Sequence, residues 1–376
     1  MTVQTMTKVS FSINSDQLKV IKKAINGLKH TSKLAAFDAV KLIVGNEKIV
    51  FEAQDLTNYV KMEFESYNNS QGELLLDKKV LKDLKLKKNE VANFKSDNNS
   101  SFKLSLNGLT MTYNQSLEFE SNYHEKDFAE ITYYTNKEYT ESIKNSLKFV
   151  SNQETRPILM GICHDEGDVF CTNSHQMYHN NNVHDLEDKK ITISSTTGKL
   201  VSDLITSKDN LIFKLSKENE HKETKYIKYE ADGIEITGKL LDGNFPIIKN
   251  MFPDYFKTEI KLKNVEINQF IDTIKTMISQ SIDGKNNIIN LIKNDKQVKL
   301  FSYINGTDQK VEQVFENLTV SGEDLKISFN GKNLLNGLEQ QKKNSQITLQ
   351  FTGDMSPFQI ITDTDEKYLY SPVRTY

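Results

Sequence analysis

The chain of 376 residues has only two cysteines, Cys163 and Cys171, and five prolines. Two cysteines are too few for a disulfide framework, so a reducing, cytoplasmic setting is expected. No run of about 18 apolar residues occurs, so no helix is expected to cross a membrane. The start, Met1 to Lys8, lacks the basic-then-apolar layout of a secretion signal. The net charge is only −3. That argues against a uniformly basic nucleic-acid binder but permits a molecule with lysines on one face and acids on another.

Catalytic signatures are also missing. There is no Gly-x-x-x-x-Gly-Lys-Ser/Thr phosphate loop and no Gly-x-Ser-x-Gly nucleophile turn. The acids are numerous but unclustered, which disfavours a two-metal nuclease. Cys163, His164, Cys171, His175, His179 and His184 are the tempting metal ligands, since cysteine and histidine suit zinc. No Cys-x-x-Cys pair anchors them, and the alternation around Val169-Phe-Cys-Thr reads as a strand, with neighbouring side chains on opposite faces. No catalytic residue, metal or cofactor is expected.

What is present is a long internal repeat. Amphipathic helices are expected at Asp16–Leu28, Tyr139–Val150 and Asn268–Ile278, each after a short alternating strand such as Val9–Ile13. A second set is expected at Asp77–Lys85, Thr197–Ile205 and Asn330–Leu338, with Asp, Thr and Asn as candidate N-caps. Charged turns and more strands follow each. Lys126-Asp-Phe128 and Gly243-Asn-Phe245 close matching units. The expected architecture is α+β: three similar domains, 1–130, 131–253 and 254–376, each with two helices packed on antiparallel sheet.

The helices are rich in lysine on one side. Leu18, Ile21, Ala24, Ile25 and Leu28 share a face, with Lys19, Lys22, Lys23 and Lys29 on the other. Val80, Leu81 and Leu84 form the next stripe, with Lys78, Lys82 and Lys85 beside it. Later helices carry Lys144 and Lys148, Lys199, Lys275 and Lys332. Each helix alone reads as an ordinary solvated face; the repetition is what suggests a shared purpose.

Four segments, in order, resemble the bacterial DNA-polymerase sliding clamp, the β subunit. They are Thr155-Arg-Pro-Ile-Leu-Met-Gly, Thr172-Asn-Ser-His-Gln-Met, Leu241-Asp-Gly-Asn-Phe-Pro, and the ending Tyr370-Ser-Pro-Val-Arg374. The resemblance implies a homodimeric ring of three like domains per chain, with the helices lining a hole around duplex DNA. Its lysines would then meet phosphates without reading sequence.

It also implies a hydrophobic cleft for short peptides from DNA polymerase, the clamp loader, repair polymerases and other cleft-binding proteins. The matching positions are Leu159, Thr172, Ser174, His175, Gln176, Met177, Pro246, Met251, Leu369, Tyr370, Ser371, Pro372, Val373 and Arg374. Apolar residues with a polarisable sulfur suit an adaptable groove. Ser174, Gln176 and Ser371 depart from the family pattern, which implies a retuned pocket. The implied subunit interface joins Leu117 and Phe119, on an expected edge strand, to Met277 and Ile278 of the partner copy. The competing reading keeps the fold and cleft but not the ring, as a decoy or regulator of replication proteins.

Overall fold

The computed structural model describes residues 9–29, 37–68, 70–96, 100–115, 118–121, 123, 127–206, 210–220, 223–280, 287–304 and 309–374. One order of elements occurs three times. The first third gives β1 (Val9–Asn14), α1 (Ser15–Gly27), β2 (Ala39–Val44), β3 (Lys48–Gln54), β4 (Asn58–Glu65), β5 (Gly72–Asp77), α2 (Lys78–Asp83), β6 (Val91–Ser96), β7 (Ser101–Leu106) and β8 (Leu109–Asn114). The second gives β9 (Phe128–Tyr134), α3 (Tyr139–Ser146), β10 (Gly161–Asp165), β11 (Asp168–Thr172), β12 (Gln176–Asn180), β13 (Ile191–Ser194), α4 (Ser195–Leu204), β14 (Ile212–Ser216), β15 (Tyr226–Ala231) and β16 (Ile234–Lys239). The last gives β17 (Thr258–Lys263), α5 (Asn264–Gln280), β18 (Ile288–Asn294), β19 (Gln297–Tyr303), β20 (Lys310–Phe315), β21 (Thr319–Gly322), β22 (Leu325–Asn330), α6 (Gly331–Leu338), β23 (Gln346–Phe351), β24 (Phe358–Ile361) and β25 (Glu366–Tyr370). Among the described residues, the short β21 is the one strand added to the repeated order.

The chain forms two compact units, Met1–Lys144 with His184–Asp242, and Asn145–Val183 with Gly243–Tyr376. Sheet continuity explains why the division runs through the middle third. In the first unit, β4 pairs antiparallel with β16, so one eight-stranded sheet runs β5-β2-β3-β4-β16-β15-β14-β9. In the second, β12 pairs with β25, giving the run β10-β11-β12-β25-β24-β23-β17-β21. Each unit also has a four-stranded sheet, β1-β6-β7-β8 in one and β20-β19-β18-β22 in the other. β8 and β20 are outer strands of those sheets.

The helices begin where short polar side chains satisfy free amides. Asn14 accepts from the N–H groups of Asp16 and Gln17, and the Gln17 side chain accepts from the Asn14 amide, a reciprocal cap. Asp77 and Asn330 cap α2 and α6. The cap of α4 is Ser194, not Thr197, which sits inside the first turn. Helix α2 is shorter than its lysine pattern suggested. Leu84 turns extended, so Lys85 lies beyond the helix. Within the first unit α1 and α4 pack closely: a Cβ on Gly27 would overlap Leu200.

Candidate peptide cleft and lysine surface

The cleft segments come together in the second unit. The turn joining β11 to β12 is built by its own side chains. Thr172 Oγ1 donates to the Gln176 carbonyl at 2.8 Å and accepts from the Ser174 amide at 3.0 Å. Asn173 Oδ1 accepts from the amides of His175 and Gln176 at 2.9 and 3.0 Å. Ser174 has φ +77°, a left-handed conformation that costs a side chain and suits glycine.

Leu159, Cys163, Phe170, Phe245 and Ile248 form one buried apolar cluster, with Ile158 and Met177 packed against it. Pro246 and Met251 stand exposed at its margin, Met251 at 49%. Leu369 pairs with Met177 across β25 and β12. Beyond β25 the Ser371 amide donates to the His175 carbonyl at 2.9 Å, Pro372 bridges Phe329, and the Val373 amide donates to the Ser328 carbonyl at 2.7 Å. The tail thus runs as a pinned, extended segment to an exposed Arg374. Half-buried apolar positions beside an ordered backbone are what a groove for an extended chain requires.

Thr172, Gln176 and Tyr370, like Leu159 and Leu369, prove internal. Thr172 builds the turn. Tyr370 is 1% exposed and its phenol lies against Gly337. Gln176 is 2% exposed; its Nε2 donates to the Lys148 carbonyl at 2.8 Å, and its Oε1 accepts from Asn336 at 3.3 Å. It ties the cleft turn to the segment after α3 and to α6, so it shapes the groove from behind.

A polar group missed by sequence reasoning sits beside the cluster. His179 and Asp168 project on the same sheet face as Phe170, and His179 Nε2 lies 2.9 Å from Asp168 Oδ2. Lys249 reaches Asp168 at 3.0 Å and Glu166 at 2.9 Å, with its ammonium 5.2 Å from the centre of the Phe170 ring. Burial would raise the Asp168 carboxyl, but hydrogen bonds from His179, the Asn182 amide and Lys249 outweigh it and hold it below the usual carboxylate range.

The lysines divide into two kinds. Lys19, Lys29, Lys82, Lys85, Lys199 and Lys332 are exposed. Lys78 is not available as expected: its Nζ donates to the Gln54 carbonyl at 2.7 Å and to that of Phe37, and desolvation lowers its pKa. Lys22 donates to the Leu84 carbonyl at the end of α2, and Lys23 to the Asp203 carbonyl near the end of α4, 3.0 Å away. Both complement the negative ends of helices. Lys144 pairs with Glu141 at 3.0 Å, while Lys275 and Lys148 share Glu339 at 2.7 and 3.8 Å.

Two further expectations need correction. Met277 is 1% exposed, a core residue of α5, because it continues the buried stripe of Ile267, Phe270, Ile271 and Ile274; Ile278 is half-buried. Phe119 lies outside any strand, Leu117 lies outside the described residues, and the outer strand is β8. Among the described residues no three His, Cys, Asp or Glu side chains are grouped to hold a metal, and no helix is long and apolar enough to cross a membrane. Cys163 floors the cleft cluster, whereas Cys171 faces the Ser146 carbonyl at 3.2 Å.

Comparison with known proteins agrees with this geometry. Residues 249–374 match the family model of the DNA polymerase III beta subunit, C-terminal domain. The beta sliding clamp of Halalkalibacterium halodurans is 31% identical over 245 residues, and that of Bacillus subtilis 29% over 244. Each match covers 62% of this chain and spans 62% of the curated relative's length. The solved sliding clamp of Bacillus subtilis aligns over 99% of this chain and 100% of its own, with TM-score 0.80 at 20% identity. A Bartonella birtlesii sliding clamp bound to griselimycin aligns over 98% and 100%, with TM-score 0.82 at 17% identity. The chain thus has the fold of bacterial sliding clamps along its length and is similar in its last third to the C-terminal domain of the DNA polymerase III beta subunit.

Proposed function

We propose that this protein is a non-catalytic DNA sliding clamp. Two copies close a ring around duplex DNA and tether DNA polymerase, with a clamp loader opening the ring and repair polymerases sharing the cleft. Each copy contributes three domains, 1–130, 131–253 and 254–376. Its place of action is the cytoplasm. The observation that carries the reading is the cleft. Residues as distant in sequence as Leu159 and Ile248 meet in one apolar cluster, bordered by a pinned extended tail.

Ring closure is assigned to β8 of one copy and β20 of the other, the outer strands of the two four-stranded sheets. An apolar groove beside β8, lined by Leu84, Leu104, Leu106, Met111 and Tyr113, suits the half-buried Ile278. The DNA-facing set is Lys19, Lys29, Lys82, Lys85, Lys199 and Lys332, with weaker parts for the lysines already paired. These lysines meet phosphate and carry no sequence preference.

The experiment is a solution mass measurement together with loading on nicked circular DNA. A clamp is dimeric, stays on the circle and leaves once the circle is cut to a linear form. Peptide binding without retention on circular DNA would replace this reading with a regulator that only occupies replication proteins.

A further inference from the structure

Asp168, at the start of β11, gathers one partner from the neighbouring strand and one from a distant place in the chain. His179 comes from β12, and Lys249 from the segment that precedes β17. His179 lies across from Phe170, stacked at 4.7 Å between ring centres, and Phe252 closes on His179 at 5.7 Å. Phe245 and Ile248 pack into the apolar cluster from the same segment that carries Lys249. Residues 243–252 are therefore held at two places: by apolar burial on Phe170, and by the ion pairs of Lys249 to Asp168 and Glu166. Between and beside those anchors Pro246, Ile247 and Met251 are exposed.

We propose that Asp168 is a positioning residue for the cleft, holding the 243–252 segment through Lys249 and the Phe170 ring through His179, so that Pro246 and Met251 are set for a ligand before it arrives. This rests on the reading of the cleft as a peptide site. Asp168 is 7% and His179 6% exposed, so the carboxylate acts from within the protein and not by touching ligand. Removing its charge leaves Lys249 with the solvent-exposed Glu166 alone, and a partly desolvated cation without its inner partner moves outward. The groove wall moves with it. Ordering a wall beforehand raises affinity because binding no longer bears that cost. The titratable groups facing Asp168 include Lys249 and His179. Glu166 shares Lys249, and Asp165 lies across from Asp168 on β10.

The test compares Asp168→Asn, Lys249→Met and their combination in the full-length protein. The probes are griselimycin and a synthetic peptide copied from the clamp-binding end of a bacterial replicative polymerase. Each single change is expected to weaken both ligands about ten-fold, with the double variant no weaker than the worse single one, as for residues acting in one network. Lys249→Arg restores affinity to within about two-fold, because a guanidinium still reaches both carboxylates. Backbone hydrogen exchange, which needs no ligand, is expected to quicken at 247–252 in Asp168→Asn and not in β11 or β12. Unchanged affinity, or losses that simply add, overturns the proposal; so does exchange that quickens throughout the sheet. Failure of both probes on the unaltered protein, with the local exchange change present, sinks the peptide-site reading and leaves the positioning of the segment intact.

Discussion

The phenol oxygen of Tyr370 occupies the space that a side chain on Gly337 would need. Helix α6 can therefore lie against β25 only with glycine at that turn. In an exposed helix Gly→Ala is favourable by about 1 kcal/mol. Here Gly337→Ala is expected to lower stability by about 1–3 kcal/mol, through overpacking. Tyr370→Phe removes the obstructing atom, so the double variant should recover much of the loss. Thermal melts of the four proteins decide it; a neutral Gly337→Ala means that Tyr370 does not constrain the helix.

Ser174 makes the converse prediction. Its φ of +77° is strained for serine. Ser174→Gly should stabilise the protein by a few tenths to about 1 kcal/mol without altering the turn. Denaturant midpoints read this directly, and a drop in stability would mean that the serine side chain makes an interaction outweighing the backbone strain.

Gln176→Arg tests whether this position reaches the cleft. Because Gln176 is buried and bonded to Lys148 and Asn336, the larger cation is expected to destabilise by about 1–3 kcal/mol. Calorimetry with the polymerase-derived peptide, beside a melt, separates the two effects. An unchanged melting temperature with a new peptide preference would show that position 176 reaches the groove after all.

The lysine surface is tested by two sets of alanine changes. Replacing Lys19, Lys82, Lys85 and Lys199 together should weaken retention on DNA at low salt. It should also reduce the slope of the salt dependence, by about one unit for each phosphate no longer neutralised. Lys78→Ala should leave the slope alone and cost stability, since two backbone carbonyls are left without their donor. A reduced slope in both variants would return Lys78 to the DNA-facing set.

The Glu339 carboxyl is held below its ordinary range, first by the hydrogen bond from Lys275 at 2.7 Å. A depressed carboxylate contributes stability above its unfolded pKa and loses it as pH falls through the folded value. At pH 7 Glu339→Gln is expected to cost at most about 1 kcal/mol, discounted for partial exposure. The difference should begin to shrink below the ordinary glutamate range, about pH 4.3, and vanish once pH is below the depressed folded value. A gap between the two melting curves that persists well into acid would contradict the ion pair.

The sequence by itself determined the repeated elements, because the periods of helix and strand are local. Leu18, Ile21, Ala24 and Ile25 sit buried on α1 as their spacing requires, and Asp77 and Asn330 cap helices because short polar side chains reach free amides. It also marked the segments of the cleft. Tertiary structure decided which faces those residues turn. Lys78 and Lys82 share a helical stripe, yet one inserts among carbonyls and the other stays in water, since only the first has Phe37 and Gln54 in reach. Met277 is buried and its neighbour Ile278 only half-buried, as set by what α5 packs on. His179 faces Asp168 from the next strand of the hairpin, but Lys249 joins them only because the chain returns to β11 after β12 to β16. No local pattern announces an interaction of that range, where the energy comes from pairing groups already removed from water.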